Sequence, residues 1–125
     1  MNGSPAPSRG ASGIFEAALE VLPEPILIHD AERILFVNAA ARRVLRAERP
    51  EDLVGRPIQT IVHPDGYSAG VQRRRILNET GKPLGDTPLK LVALDGTTLY
   101  ARAVGIPLRT SAGMAILVAA TFITG

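Results

Sequence analysis

From Ile14 to Leu22 the apolar residues Ile14, Phe15, Ala18, Leu19 and Leu22 return at helical spacing until Pro23 interrupts them, which predicts a short amphipathic helix. The pattern then changes period. Ile26 to Ile28 and Ile34 to Val37 are β-branched and aromatic runs on either side of Asp30, Ala31, Glu32 and Arg33, which suit a tight turn, so this stretch reads as a hairpin. Asn38 follows and offers a side-chain oxygen to the free N–H groups of the next helix, predicted over Ala39 to Arg46. Glu51 to Val54 reads as a single turn closed by Gly55. Pro57 opens a further short helix, Ile58 to Val62, because a first-turn proline loses no needed hydrogen bond. His63 precedes Pro64 and is biased out of the helical region, and Asp65-Gly66 supplies a turn. A longer helix runs from Tyr67 to about Asn78 and ends near Gly81, with a poorly defined apolar face.

Beyond Gly81 the period is two. Strands are predicted at Pro88 to Leu94, Thr97 to Leu108 and Met114 to Phe122, joined by Asp95-Gly96 and by the Thr110 to Gly113 turn, as a meander. Charges choose the register. A two-residue loop at Asp95-Gly96 sets Lys90 beside Ala101 and leaves Arg102 on the other face, whereas a three-residue loop ending in a left-handed Gly96 puts Lys90 and Arg102 on one face. The three-residue loop is the expectation. It gives an inner line of Leu89, Leu91, Ala93, Leu99, Ala101, Ala103 and Gly105, and an outer line of Lys90, Val92, Tyr100, Arg102, Val104 and Ile106. The outer line is only half polar, so a cover is expected, either the Ile14 to Leu22 helix or a second subunit. Two strands, several helices and three strands imply an α+β fold, an antiparallel sheet with its helices gathered on one face.

At 125 residues the chain suits one domain with one core, able to bury roughly two-thirds of its unfolded surface. With 46% hydrophobic and 21% charged residues, most of it should be globular and soluble. Residues 1–13, rich in Gly, Ser, Pro and Ala, read as a flexible tail ahead of a single domain at 14–125, with its helix at 14–22 and its core at 25–124. The absence of cysteine removes disulfides and thiolate chemistry, and accords with a cytoplasmic location. No signal peptide is visible, and the longest apolar run, Met114 to Ile123, is too short for a bilayer that needs about 20 residues. A formal charge of +2 is small, and its bases are scattered apart from Arg73, Arg74 and Arg75, so no nucleic-acid partner is expected. Those three arginines read most simply as the solvated face of a helix.

With this order of elements, the chain resembles the PAS sensory-domain family from the Phe15 helix to Thr124. The resemblance rests on L-P-E-P-I-L-I-H-D at 22–30, R-I-L-F-V-N at 33–38, D-L-V-G-R-P at 52–57, V-H-P-D at 62–65, L-D-G-T at 94–97 and G-I-P-L-R at 105–109. It implies a five-stranded antiparallel sheet with short helices packed on one face, enclosing a ligand pocket. By resemblance, Leu27, His29, Ile58, Ile61, Leu91, Ala101, Ala103, Ile116 and Val118 would line that pocket. The small side chains of Ala101, Ala103 and Gly105 independently require either a cavity or a closely packed helix opposite them. The family's usual task is detection, in which a change in the pocket biases an output module of the same polypeptide. A histidine kinase or a transcription regulator is the expected setting. Departures from the family pattern also carry information. Flavin-binding members have G-R-N-C where this chain has Gly55-Arg56-Pro57-Ile58, so flavin adduct chemistry is excluded by the missing thiol. The helix from Tyr67 holds no His for haem, and no cofactor is expected. Phe122 stands where the family's closing Asp-Ile-Thr has Asp, and Glu32 where glycine is common.

His29 could contact a polar ligand or titrate as a switch, although a strand-end His is more often a structural, hydrogen-bonded group. His63 in V-H-P-D-G reads as a loop-ordering residue. His29, Asp30, His63 and Asp65 lack metal-ligand spacing, and no metal is expected. No nucleophile triad, phosphate loop or convincing carboxylate pair is present, so the domain itself is read as noncatalytic. The leading expectation is a cytoplasmic sensor or interaction domain that binds a small apolar or amphipathic molecule, or dimerises through Phe15, Leu19, Tyr100, Arg102, Val104 and Ile106. The alternative is a purely structural homodimerisation module with a filled core. A third reading, a small enzyme using His29 and Asp30, ranks below both.

Overall fold

The structure is a computed structural model in which residues 7–123 are described, with side chains from residue 13 onward. Helix α1 spans Pro7–Val21, strands β1 and β2 span Ile26–His29 and Ile34–Val37, and helix α2 spans Ala39–Leu45. Three short 3-10 turns at Pro50–Asp52, Ile58–Ile61 and Pro64–Gly66 lead into helix α3, Tyr67–Thr80. Strands β3, β4 and β5, at Leu84–Val92, Thr98–Thr110 and Gly113–Phe122, complete an antiparallel sheet of order β2-β1-β5-β4-β3. The N-terminal hairpin thus lies beside the last strand, with Leu27 opposite Val118 and His29 opposite Ile116. The α+β expectation, a five-stranded antiparallel sheet with short helices, describes this architecture.

The local devices behave as their residues dictate. Asn38 caps α2 by accepting the Ala41 N–H at 2.9 Å. Gly96 has φ +91°, and the Ala93–Thr97 and Gly96–Ala93 backbone bonds close the three-residue loop. Leu89 therefore faces Ala101 and Lys90 faces Tyr100, the register that the charges select. Two boundaries differ from expectation by more than two residues. Strand β3 begins at Leu84 rather than Pro88, because a bulge around Asp86 (φ +51°) lets the chain rejoin the ladder, and Pro88 is tolerated on an edge strand. Helix α1 begins at Pro7 rather than Ile14, so the tail reading is corrected for residues 7–13; Pro7 suits the first turn, where a missing N–H costs nothing. Residues 1–6 of that tail, and Thr124 at the expected end of the core, lie outside the described residues.

Asn38 does more than cap. Its carbonyl oxygen also accepts the Ile26 N–H at 2.9 Å, and its amide nitrogen donates to the Leu19 and Glu24 carbonyls at 2.8 and 2.9 Å. One fully buried side chain with all four bonds made joins α1, β1 and α2. An Arg42–Glu20 ion pair at 2.6 Å reinforces the same junction. Only the C-terminal end of α1 is held this way. Its packing partner is α2, not the sheet, so Tyr100, Arg102 and Val104 on the outer face stay exposed and the helix does not provide the cover expected for them.

The interior falls into two groups rather than the single core that size suggests. Leu27, Ile34, Val37, Ala41, Leu45, Leu53, Ile58 and Ile61 form one, under the hairpin and α2. Ala101, Ala103 and Ala120 form the other, with Leu89, Val118 and Phe122 against them. Small alanines on facing strands leave the second group thin. Helix α3 meets the sheet chiefly through fully buried Leu77, which seats over Gly105; a methyl there would come within 3.2 Å of the Leu77 Cδ1.

Candidate functional site

Between the two apolar groups lies a cavity of about 220 Å³. Its sheet side is made by Leu27 and His29 of β1, Leu89 and Leu91 of β3, and Val118, Ala120 and Phe122 of β5. Ala41 and Leu45 of α2 and Ile58 and Ile61 of the second 3-10 turn form the wall beneath the hairpin. Tyr67, Gly70, Arg73 and Arg74 of α3 form the opposite wall. With aromatics at only 4% and no Trp, few large rings are present to fill such a gap.

Of the residues expected to line a pocket, Leu27, His29, Ile58, Ile61, Leu91 and Val118 surround this cavity, whereas Ala101, Ala103 and Ile116 do not. The reason is geometric. Ala101 and Ala103 pack on Ala120 and Phe122, and Ile116 is buried beside Gly105, where α3 closes on the sheet. Of the small inner-strand residues, Gly105 makes room for the packed helix, while Ala101 and Ala103 belong to the apolar group beside the gap and not to its lining.

His29 is buried, and its Nδ1 lies 2.8 Å from the Asp30 carbonyl, so Nδ1 carries the proton and donates. Desolvation lowers its pKa, with the nearby Arg74 and Arg73 charges acting in the same direction. The ring is thus neutral and structurally anchored, with its other nitrogen unprotonated. Asp30 accepts the Glu32 and Arg33 N–H groups at 2.8 Å, which orders the hairpin turn and holds its carboxyl below the usual range. It does not act on the cavity. His63 accepts the Asp65 N–H at 3.1 Å and caps the third 3-10 turn, the loop-ordering role its motif suggests. Lys90 is held by Asp65 at 2.9 Å. Among the described residues no group of three or more His, Cys, Asp or Glu side chains is placed to hold a metal.

Arg73 and Arg74 correct the sequence reading. They are half-buried and line the cavity, and of the three only Arg75 is fully on the solvent side. The signal was in the chain: Gly70, Arg73, Arg74 and Leu77 share the spacing of a core-facing stripe, but charge at two of its four positions disguised it. On the outer surface, Phe15 and Tyr100 are well exposed, Val104 less so, and Leu19 and Ile106 are half-buried. Among the described residues no helix is long and apolar enough to cross a membrane.

A family model described as PAS domain matches residues 13–79. No curated protein matches the sequence. Among solved structures, the PAS domain of a protein from Colwellia psychrerythraea is similar at a TM-score of 0.77 and 14% identity, over 91% of this chain and 98% of that one. A PAS domain from a two-component sensor histidine kinase gives 0.76 and 14%, over 93% and 99%. The PAS domain of nitrogen regulation protein NR(II) from Vibrio parahaemolyticus gives 0.65 and 18%, over 88% and 98%. At such identities the structural likeness speaks for the fold, and the family match covers more than half of the chain.

Proposed function

The chain belongs to the PAS domain family, and from that premise we propose that it is the sensory part of a signal-transduction protein, taking a small apolar or amphipathic molecule into the cavity between sheet and helices. Modules of this family are in general noncatalytic, and the domain is assigned no reaction of its own. The observation that carries the reading is the cavity of about 220 Å³, walled mainly by aliphatic side chains. An apolar cavity of about 150 Å³ already holds benzene. Occupancy would change the packing of α3, which rests on the sheet through little besides Leu77, and so couple the cavity to an output module of the same polypeptide. A sensor kinase is the proposed setting, supported by the fold likeness to PAS domains from a sensor histidine kinase and from NR(II). A cytoplasmic location goes with that setting.

Native mass spectrometry of the protein as purified, repeated after denaturation, tests the reading. A native mass exceeding that of the denatured chain by a small molecule is the expected result. A bare chain whose NMR spectrum is also unmoved by saturating 1-octanol would remove it.

One observation favours a second reading, homodimerisation. Ile14 and Phe15 on α1 are 68% and 67% exposed, and Val104 and Tyr100 extend apolar surface on the outer sheet face. A dimer through Phe15, Leu19, Tyr100, Arg102, Val104 and Ile106 would cover both. Val104→Glu should then shift sedimentation to the monomer; an unchanged profile would count against this interface.

A further inference from the structure

Helix α3 brings two charged side chains to its inner side. Gly70, Arg73, Arg74 and Leu77 face the interior at i, i+3, i+4 and i+7, while Val71, at the edge of the cavity, and Ile76, on the other flank of the helix, are 47% and 45% exposed. An inward stripe normally takes apolar residues, since burying a charge without a partner is costly. Four other arginines have carboxylate partners, Arg42 with Glu20, Arg46 with Asp95, Arg49 with Asp52 and Arg102 with Asp86, and those without one among the described side chains, Arg33, Arg43, Arg56, Arg75 and Arg109, are exposed to water. Among the described residues neither Arg73 nor Arg74 has a carboxylate within 4.0 Å or a hydrogen bond from its guanidinium.

Nothing nearby offsets them. His29 is neutral with its Nδ1 committed to the Asp30 carbonyl, and Asp65 is already engaged by Lys90 at 2.9 Å. Desolvation, with the neighbouring Arg74, lowers the Arg73 pKa, so the pair repels itself beside an apolar floor. Two guanidinium forks with open donors match a carboxylate or phosphate, and a low-dielectric wall strengthens that attraction. The floor beyond them is apolar at Leu27, Ile61 and Leu91, and the polar His29, Gln59 and Lys90 that also line the cavity carry no negative charge.

We infer that the cavity is a site for a small amphipathic anion, its apolar body on Leu27, Ile61 and Leu91 and its carboxylate or phosphate head against Arg73 and Arg74. This rests on the proposed ligand-binding role and adds the charge of the ligand and the residues that read it. The anion supplies the missing counter-charge, so the two arginines are paired only in the occupied state.

The test compares octanoate and octyl phosphate with 1-octanol, of equal chain length, by calorimetry and NMR titration below their aggregation concentrations. One of the two anions should bind at least about ten-fold more tightly than octanol, as two charge-assisted contacts imply. In Arg73→Gln/Arg74→Gln that preference should shrink to within about two-fold, while octanol affinity holds. Arg75→Gln, on the same helix, should keep the preference and so exclude a general charge effect. The double variant should melt no lower than the wild type, because it loses unpaired, half-buried charge. Equal affinity for octanol and both anions, or a preference that survives in the double variant, overturns the inference while leaving the sensor reading intact. Failure of all three probes to bind overturns the inference, and it overturns the sensor reading too when the purified chain is also bare by native mass spectrometry.

Discussion

Replacing Asn38 tests whether one side chain holds the N-terminal helix, the first strand and α2 together. In Asn38→Ala the α2 cap is lost, at about 1 kcal/mol. The Ile26 N–H, bonded to the Asn38 oxygen at 2.9 Å in a buried position, is left without an acceptor, adding roughly 1–3 kcal/mol. The Leu19 and Glu24 carbonyls are partly reachable by water and add little. The sum, about 2–4 kcal/mol, should lower the urea midpoint by roughly 1–2 M at an ordinary slope. Asn38→Asp separates the two halves of the junction. A carboxylate can still accept from Ile26 and Ala41 but faces the Leu19 and Glu24 carbonyls with oxygen instead of a donor. Hydrogen exchange should then show the Ile26 amide still protected and the Leu22 amide, bonded to the Leu19 carbonyl, exchanging faster. A loss below about 1 kcal/mol in Asn38→Ala, or equal protection of Leu22 in Asn38→Asp, would refute the latch.

Leu77→Ala should cost about 2–5 kcal/mol and free α3 from the sheet, because Leu77 is fully buried over Gly105; chemical denaturation together with loss of α3 amide protection checks it. The pH dependence follows from His29, whose folded pKa lies below its ordinary value of 6.5. Its neutral form contributes stability that is fully present above that value and is lost as pH falls through the lower folded one. A midpoint series between pH 7 and 4 should therefore slope downward, and His29→Gln should flatten the upper part of that slope; an equal slope in the variant would disprove the assignment. Arg102→Ala removes an exposed pair with Asp86 and should change stability by less than about 0.5 kcal/mol in the same assay.

Local chemistry was legible wherever neighbours in sequence decide the outcome. The hairpin from Ile26 to Val37, the Asn38 cap, the short turns opened by Pro57 and Pro64, and the three-residue loop at Gly96 all follow from turn residues and side-chain period. The inner and outer faces of β3 and β4 followed too, because a shift of one residue would have buried Lys90 or Arg102. Pattern failed where the tertiary structure overrides propensity. Helix α1 ran back to Pro7 through residues whose composition suggested a tail, and β3 reached Leu84 past a bulge that no period announces.

The chain by itself determined the α+β order, the register and the residues that could face inward, since periodicity and turn chemistry act over a few positions. Only the tertiary structure decided which of those residues surround a gap. The cavity is a misfit between Ala120 and its neighbours on β5, leucines of α2, β1 and β3, and the arginines of α3, groups separated by tens of residues. No single position encodes such a space. Arg73 and Arg74 mark the contrast most clearly: in sequence they are part of a basic run, and only the docking of α3 through Leu77 turns them toward an apolar interior that lacks their counter-charge.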